Sequence, residues 1–320
     1  MMKNKIGQFI EDHSWIWAFL GCVFLWLAIG IKTSQFGLDS LVSNAKLACF
    51  LAIVSFGQMF AITVGEGSID LSIPYVITFT AFLSIGIANG SNSLLIVVIL
   101  AALAFGVLVG TINTVTTTIL HIPPIIATMA LGFVLNTGVL LLSTNFRTSF
   151  AGIPVLAALT KGSILGIPWI VIVTLIIAGI VGLVITKLSY GRALMAVGQN
   201  RLAAYFAGIK VKRTIWISYI LCSCFAALGG VLIAARTGGA YLSLGDAYLL
   251  QSIGVVVIGG TLIAGGKATT LGTLFGSLFM LLLVTFMNTS NWSIGVQYVV
   301  QGLIIISILS LAVSKTGDRA

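Results

Sequence analysis

Runs of about 17 to 20 apolar residues, nearly free of charge, recur along this chain, and a helix of that length crosses the roughly 30 Å hydrocarbon core of a bilayer. They fall at residues 15–31, 45–64, 74–90, 94–112, 124–143, 168–186, 214–235, 248–264, 271–288 and 295–312. In lipid every backbone amide must find its partner within the protein, so isolated apolar runs become helices rather than open strands. The pattern predicts an all-α polytopic transmembrane helix bundle of about ten spans, with residues 1–320 forming one transmembrane domain. Composition excludes a soluble fold: 59% of residues are hydrophobic and only 7% are Asp, Glu, Lys or Arg, against roughly a quarter charged in soluble domains.

Lys3 and Lys5 precede the first run, as basic residues do in a secretory leader, but Glu11 and Asp12 intervene and no small-residue cleavage site follows. The first run therefore reads as a retained helix. Basic residues concentrate in the cytoplasmic loops of membrane proteins. Residues 187–213 hold Lys187, Arg192, Arg201, Lys210, Lys212 and Arg213 with no acid, so this segment is expected in the cytoplasm. An even number of spans puts both termini on that side, where Lys3, Lys5, Lys267, Lys315 and Arg319 join it. Lys32, Lys46, Arg147, Lys161 and Arg236 fall outside, a ratio of eleven to five. Topology thus accounts for the net charge of +9, and no nucleic-acid partner is expected. The connection at residues 145–168 is too short and apolar for a separate domain, with room for a re-entrant or interfacial helix.

Cys22, Cys49, Cys222 and Cys224 all lie in apolar segments, where a thiol packs as a small hydrophobe. The Cys222-x-Cys224 spacing fits neither a zinc site nor a redox pair. His13 and His121 are the only histidines, and no nucleophile–base set, metal cluster or spaced carboxylate pair points to catalysis. The chain is expected to be no enzyme and to bind no metal or cofactor.

Two interruptions of the apolar pattern stand out. Residues 65–74, GEGSIDLSIP, set Glu66 and Asp70 between strongly apolar stretches. Ionisable groups at membrane depth face a bundle interior or a watery path, because lipid gives them no hydrogen bonds. Pro74 suits the first turn of the following helix, with Ser72 or Asp70 near its cap. The segment is either a short cytoplasmic turn with a capping acid or part of a translocation path. Glu66 and Asp70, four apart, would share a helix face, although a glycine sits between them.

The second interruption, residues 255–273, carries Gly259, Gly260, Gly265 and Gly266 within and after an apolar run, where small residues permit close packing or a helix break. Gly266 and Lys267 imitate the end of a phosphate-binding loop, but Thr261 stands where the leading glycine belongs and Ala268 where a hydroxyl should hold magnesium. ATP binding by this loop is not expected.

Five segments in register resemble the permease subunits of ribose-type ATP-binding-cassette importers, which bring monosaccharides into bacteria. They are SIDLS at residues 68–72, IPPIIATMALG at 122–132, YGRALMAVGQNRLAAYFAGIKVKR at 190–213, ALGGVLIAAR at 227–236 and VVVIGGTLIAGG at 255–266. The resemblance covers roughly residues 45–310. Departures include Ser68 and Pro74 in place of glycines, and the acid Glu66.

The resemblance implies a multi-pass protein of the bacterial inner membrane, paired with a second copy or a sister permease. It implies solute delivered by an extracytoplasmic binding protein, and a separate cytoplasmic ATPase that uses ATP and magnesium. The loop at residues 187–213 would couple to that ATPase through Gly191, Arg192, Ala196, Gly198, Asn200, Ala203, Ala204 and Gly208, with Asn200 capping a short helix at residues 201–206 and Gly208 closing it. The candidate translocation path comprises Glu66, Ser68, Asp70, Ser72, Asn113, Gly259, Gly260 and Thr261. The rival readings are a secondary transporter moving protons through Glu66 and Asp70, or a permease of the same family carrying a nucleoside, a signalling furanose or a branched-chain amino acid.

Overall fold

The computed structural model of the chain describes residues 15–34, 36–145 and 153–317. Among the described residues five helices come first: α1 (Trp15–Thr33), α2 (Leu38–Thr63), α3 (Ile73–Ala88), α4 (Leu95–Thr118) and α5 (Pro124–Asn145). After the short α6 (Pro154–Lys161), a two-strand hairpin of β1 (Ser163–Ile164) and β2 (Ile167–Pro168) leads into α7 (Trp169–Thr186). The polar stretch forms α8 (Ser189–Gln199) and α9 (Arg201–Phe206), and the chain closes with α10 (Val211–Thr237), α11 (Asp246–Ile258), α12 (Thr270–Thr289) and α13 (Ile294–Gly317). The hairpin turn places Leu165 and Gly166 at φ of +50° and +82°, the left-handed pair that matches strand twist.

Every apolar run of the sequence lands on a helix, and among the described residues seven of these helices are long and apolar enough to cross a membrane: α1, α2, α4, α5, α7, α10 and α12. Two others are short. Helix α3 has 16 residues and α11 has 13, or about 24 and 20 Å at 1.5 Å per residue. The run at residues 248–264 is cut because the chain leaves the helix at Gly259 and turns through Gly260 at φ +87°. Conversely, α2 begins well before its apolar run. Its early polar residue Asn44 is satisfied by donating to the Ser40 carbonyl (2.8 Å) and accepting from the Thr285 hydroxyl.

Helix α2 is the most interior of the long helices, with 83% of its apolar window buried against 28% for α1, α4, α5 and α7. The flanking helices turn large apolar side chains outward, such as Ile96, Leu100, Phe133 and Ile180, as a lipid-facing surface requires. Helix α10 is the other interior element, packed on α2, α3 and α4. Lipid provides no hydrophobic force between helices, so close backbone approach must supply the packing energy. A Cβ added to Gly57 of α2 would lie 2.7 Å from the Cys222 carbonyl oxygen, and one on Gly110 of α4 2.5 Å from the Ile220 Cα. On α10 itself, a Cβ on Gly230 would lie 2.3 Å from the Ile77 carbonyl oxygen. Three neighbours thus grip α10 through glycine contacts.

Candidate functional site

Residues 64–72 leave the end of α2 and climb back into the bundle. The depth follows from their neighbours: Gly57, nearly two turns before the end of α2, touches Cys222, and the Asp70 carboxylate also lies against the Cys222 thiol. Asp70 is 1% exposed. Its Oδ1 accepts hydrogen bonds from the Ser72 amide (2.8 Å) and hydroxyl, and Asn113 Nδ2 reaches both Oδ2 (3.4 Å) and the Ser72 hydroxyl (3.2 Å). Thr128 of α5 secures the same loop from the other side by accepting from the Leu71 amide at 3.0 Å. Ser72 is the N-cap residue of α3 and Pro74 sits in its first turn. Asp70 thus shapes the helix start from within the bundle, not from a surface turn.

Four further polar atoms surround this loop. Gln58 Nε2, Ser68 Oγ, Asn113 Oδ1 and the Tyr219 hydroxyl are buried without a hydrogen-bond partner in the protein. Ser68 and Tyr219 stand close enough to interact electrostatically, but their geometry falls short of a hydrogen bond. The Cys222 thiol reaches Gln58 Oε1 at 3.8 Å, while Cys224, 200° around the helix, points to the Leu103 carbonyl of α4. Replacing Asp70 with alanine strands the Ser72 donors and the Asn113 amide. We expect that variant to insert but to lose about 1–3 kcal/mol of stability, seen as a lower unfolding temperature in detergent; a wild-type value would show that the carboxylate contributes nothing here.

The candidate path residues separate into three groups. Ser68, Asp70, Ser72 and Asn113 come together and are all buried. Glu66 does not join them: it is exposed and ion-paired to Arg201 Nη1 at 2.7 Å. Gly259 packs instead at the start of α12, where a Cβ would lie 2.5 Å from the Gly272 carbonyl carbon and the Thr269 hydroxyl donates to the Gly259 carbonyl at 2.6 Å, while Gly260 makes the turn that follows. Thr261 belongs to that same turn, accepting from the Thr269 amide at 3.3 Å.

The basic segment forms two short helices. In α8, Gly191 fits against the end of α7, where a Cβ would meet the Val184 and Ile185 carbonyls at 2.3 Å. The Tyr190 hydroxyl shares a 2.8 Å hydrogen bond with Ser218 of α10, and burial pushes its phenol up, keeping it neutral. Arg192 is exposed and donates to the Lys187 carbonyl at 3.2 Å. Gly198 is clamped between other backbones, and Ala196 is half-buried.

Asn200 caps α9 by accepting from the Ala203 amide at 2.9 Å. Gly208, at φ +81°, follows the helix end, and the Ile209 amide closes back onto Ala204 at 3.0 Å. Ala204 is the buried residue of α9 while Ala203 is exposed. The outward face is apolar: Leu202, Tyr205 and Phe206 are 65%, 66% and 78% exposed, with the two rings edge to face at 5.8 Å. Charge and small residues point to this helix in the sequence, but which of its side chains face outward depends on how α8 seats it.

At the far end of α10, about 40 Å away, the chain after Thr237 lines an open cavity of 720 Å³ with Phe82, Ser143 and Tyr241. From there it descends to Gly245, whose amide donates to the Thr78 hydroxyl at 3.0 Å. A Cβ on Gly245 would lie 2.0 Å from the Pro74 carbonyl oxygen. The two short helices α3 and α11 therefore start side by side within the bundle, the arrangement of broken helices found at transporter sites.

A family model described as branched-chain amino acid transport system/permease component matches residues 40–309. The chain belongs to that permease family. It is 30% identical over 310 residues to the ribose import permease protein RbsC of Bacillus subtilis, covering 93% of this chain and 92% of that protein. A probable ABC transporter permease, y4mJ of Sinorhizobium fredii, is 28% identical over 298 residues, covering 92% and 88% of the two chains. The galactofuranose transporter permease YtfT of Escherichia coli is 30% identical over 260 residues, 81% of this permease and 75% of YtfT. No solved structure matches it. Family and apolar helices together make this permease a multi-pass inner-membrane protein.

Proposed function

We propose that this permease is the translocating subunit of an ATP-driven importer for a monosaccharide, working as a pair with a second copy or a sister permease. The end bearing α8 and α9 faces the cytoplasm, with both termini, and ten helices cross the bilayer. Solute arrives from an extracytoplasmic binding protein at the opposite mouth, near Tyr241. The observation that carries the reading is α9: a helix capped at both ends, framed by basic residues, that holds Leu202, Tyr205 and Phe206 out of the bundle. Exposed aromatic side chains on a rigid support are what an interface hot spot needs. The docked partner is a separate ATPase, which supplies the ATP and magnesium chemistry, while this chain binds neither.

The relatives' sugars make a monosaccharide the favoured cargo, since such solutes need only transient polar partners along a path. The proton-coupled rival is disfavoured by the separation of Glu66, at the surface on an arginine, from the enclosed Asp70. In vesicles containing the permease, its ATPase and its binding protein, uptake of labelled ribose or galactose should require internal ATP, persist after the proton gradient is collapsed, and be displaced by other monosaccharides. Displacement by nucleosides or branched-chain amino acids alone would reassign the cargo, and uptake that survives loss of the ATPase would overturn the class.

A further inference from the structure

We propose that Glu66 is a positioning residue for transport, the point at which the coupling segment grips the re-entrant loop that carries Asp70. This rests on reading α9 as the ATPase-docking helix.

Glu66 occupies an unfavourable backbone conformation for its type. Gly65, Glu66 and Gly67 run through φ of +80°, +50° and +69°, a left-handed stretch in which glycine is free and a side-chain-bearing residue is strained. Glu66 also projects outward while Ser68, Asp70 and Ser72 are buried. Its contact is Arg201, the first residue of α9, immediately after the Asn200 cap. Any displacement of α9 therefore moves Arg201 as part of the helix, and the 2.7 Å ion pair carries that displacement to Glu66.

The backbones around the pair leave little slack. A Cβ on Gly198, at the end of α8, would sit 2.0 Å from the Thr63 carbonyl oxygen and 2.3 Å from the Gly266 nitrogen. One on Gly265 would sit 2.5 Å from the Gly65 Cα, and the Gly266 amide donates to the Thr63 carbonyl at 3.0 Å. The ends of α2 and α8 and the turn after α11 thus meet backbone to backbone. This junction serves as a pivot, with the Glu66–Arg201 pair as the lever beside it. Beyond Glu66 the loop passes directly to Asp70, Ser72 and the first turn of α3, next to Asn113 and Tyr219, whose unpaired polar atoms lower the cost of rearrangement. Coupling through a two-state element of this kind depends on contacts that neither ligand touches.

The test uses the complete transporter in vesicles, comparing Glu66→Gln, Arg201→Gln and the charge-swapped pair Glu66→Arg/Arg201→Glu. Glu66 is 63% exposed and Arg201 28%, so folding of each variant is checked by its yield in detergent and assembly by co-purification of the ATPase. The single variants should retain the ATPase but transport roughly threefold less solute, or lower still, per ATP hydrolysed. The swap should recover most of that ratio. A wild-type ratio in both single variants, or a swap no better than either, overturns the proposal. Failure of the underlying docking assignment looks different: the ATPase would then co-purify undiminished when Tyr205 and Phe206 are truncated.

Discussion

Truncating Tyr205 and Phe206 together to alanine is expected to cut recovery of the ATPase with the permease by tenfold or more. The two rings are the most prominent apolar features of α9, at 66% and 78% exposure, and their mutual edge-to-face packing fixes them as one unit. Buried aromatic anchors at an interface centre cost about 2 kcal/mol or more each when truncated, and a factor of ten needs only about 1.4 kcal/mol. Little of the permease's own fold is at stake. The Asn200 cap, the Gly208 turn and buried Ala204 hold α9 independently of either ring. Pull-down of tagged permease checks this, with solution behaviour of the isolated subunit as the control. Undiminished ATPase recovery would move the docking surface elsewhere on the basic segment.

The second large effect is on stability. Gly230→Leu should abolish recovery of folded permease, whereas Gly179→Leu should be nearly silent. A Cβ at Gly230 would lie 2.2 Å from the Thr80 hydroxyl and 2.3 Å from the Ile77 carbonyl oxygen, while one at Gly179 meets nothing within 4 Å. Over-packing costs about 1–3 kcal/mol where side chains adjust; here the obstacle is the backbone of α3, so the cost should exceed that range. The yield of folded permease in detergent distinguishes the two. Equal recovery and equal melting of both variants would mean that the α3–α10 contact does not limit stability.

The helical architecture was legible because its signal is long: a run of apolar residues has little alternative in lipid. The ends were less so, since α11 stops at Gly259 inside an apolar stretch, and hydropathy cannot tell a glycine that packs from one that breaks. The Asn200 cap and Gly208 turn were readable because capping depends on residues a few positions apart. The surroundings of Asp70 were not. Gln58, Thr128, Tyr219 and Cys222 come from three helices distant in sequence, and only the polar interruption of α2 by Gln58, or Tyr219 and Cys222 three apart on one face, hinted at them. Glu66 and Asp70 looked like a pair, yet the left-handed turn through residues 65–67 sends one outward and the other in. Arg201, read as part of a cationic loop, proved to be the partner of Glu66.

The meeting of Thr63, Gly198 and Gly266 also bears on how the molecule is made. The Thr63 carbonyl receives its hydrogen bond from Gly266, so the first third of the chain waits for the last third before its loop is fastened. During stepwise insertion from the ribosome, the end of α2 must stay unfastened at Thr63 until α11 and the turn after it have emerged, whereas Asn113, Thr128 and Cys222 reach the Asp70 segment earlier. A ribosome-bound intermediate truncated before Gly259 should therefore leave Thr63 open to thiol labelling after cysteine substitution, and release of the full chain should close it.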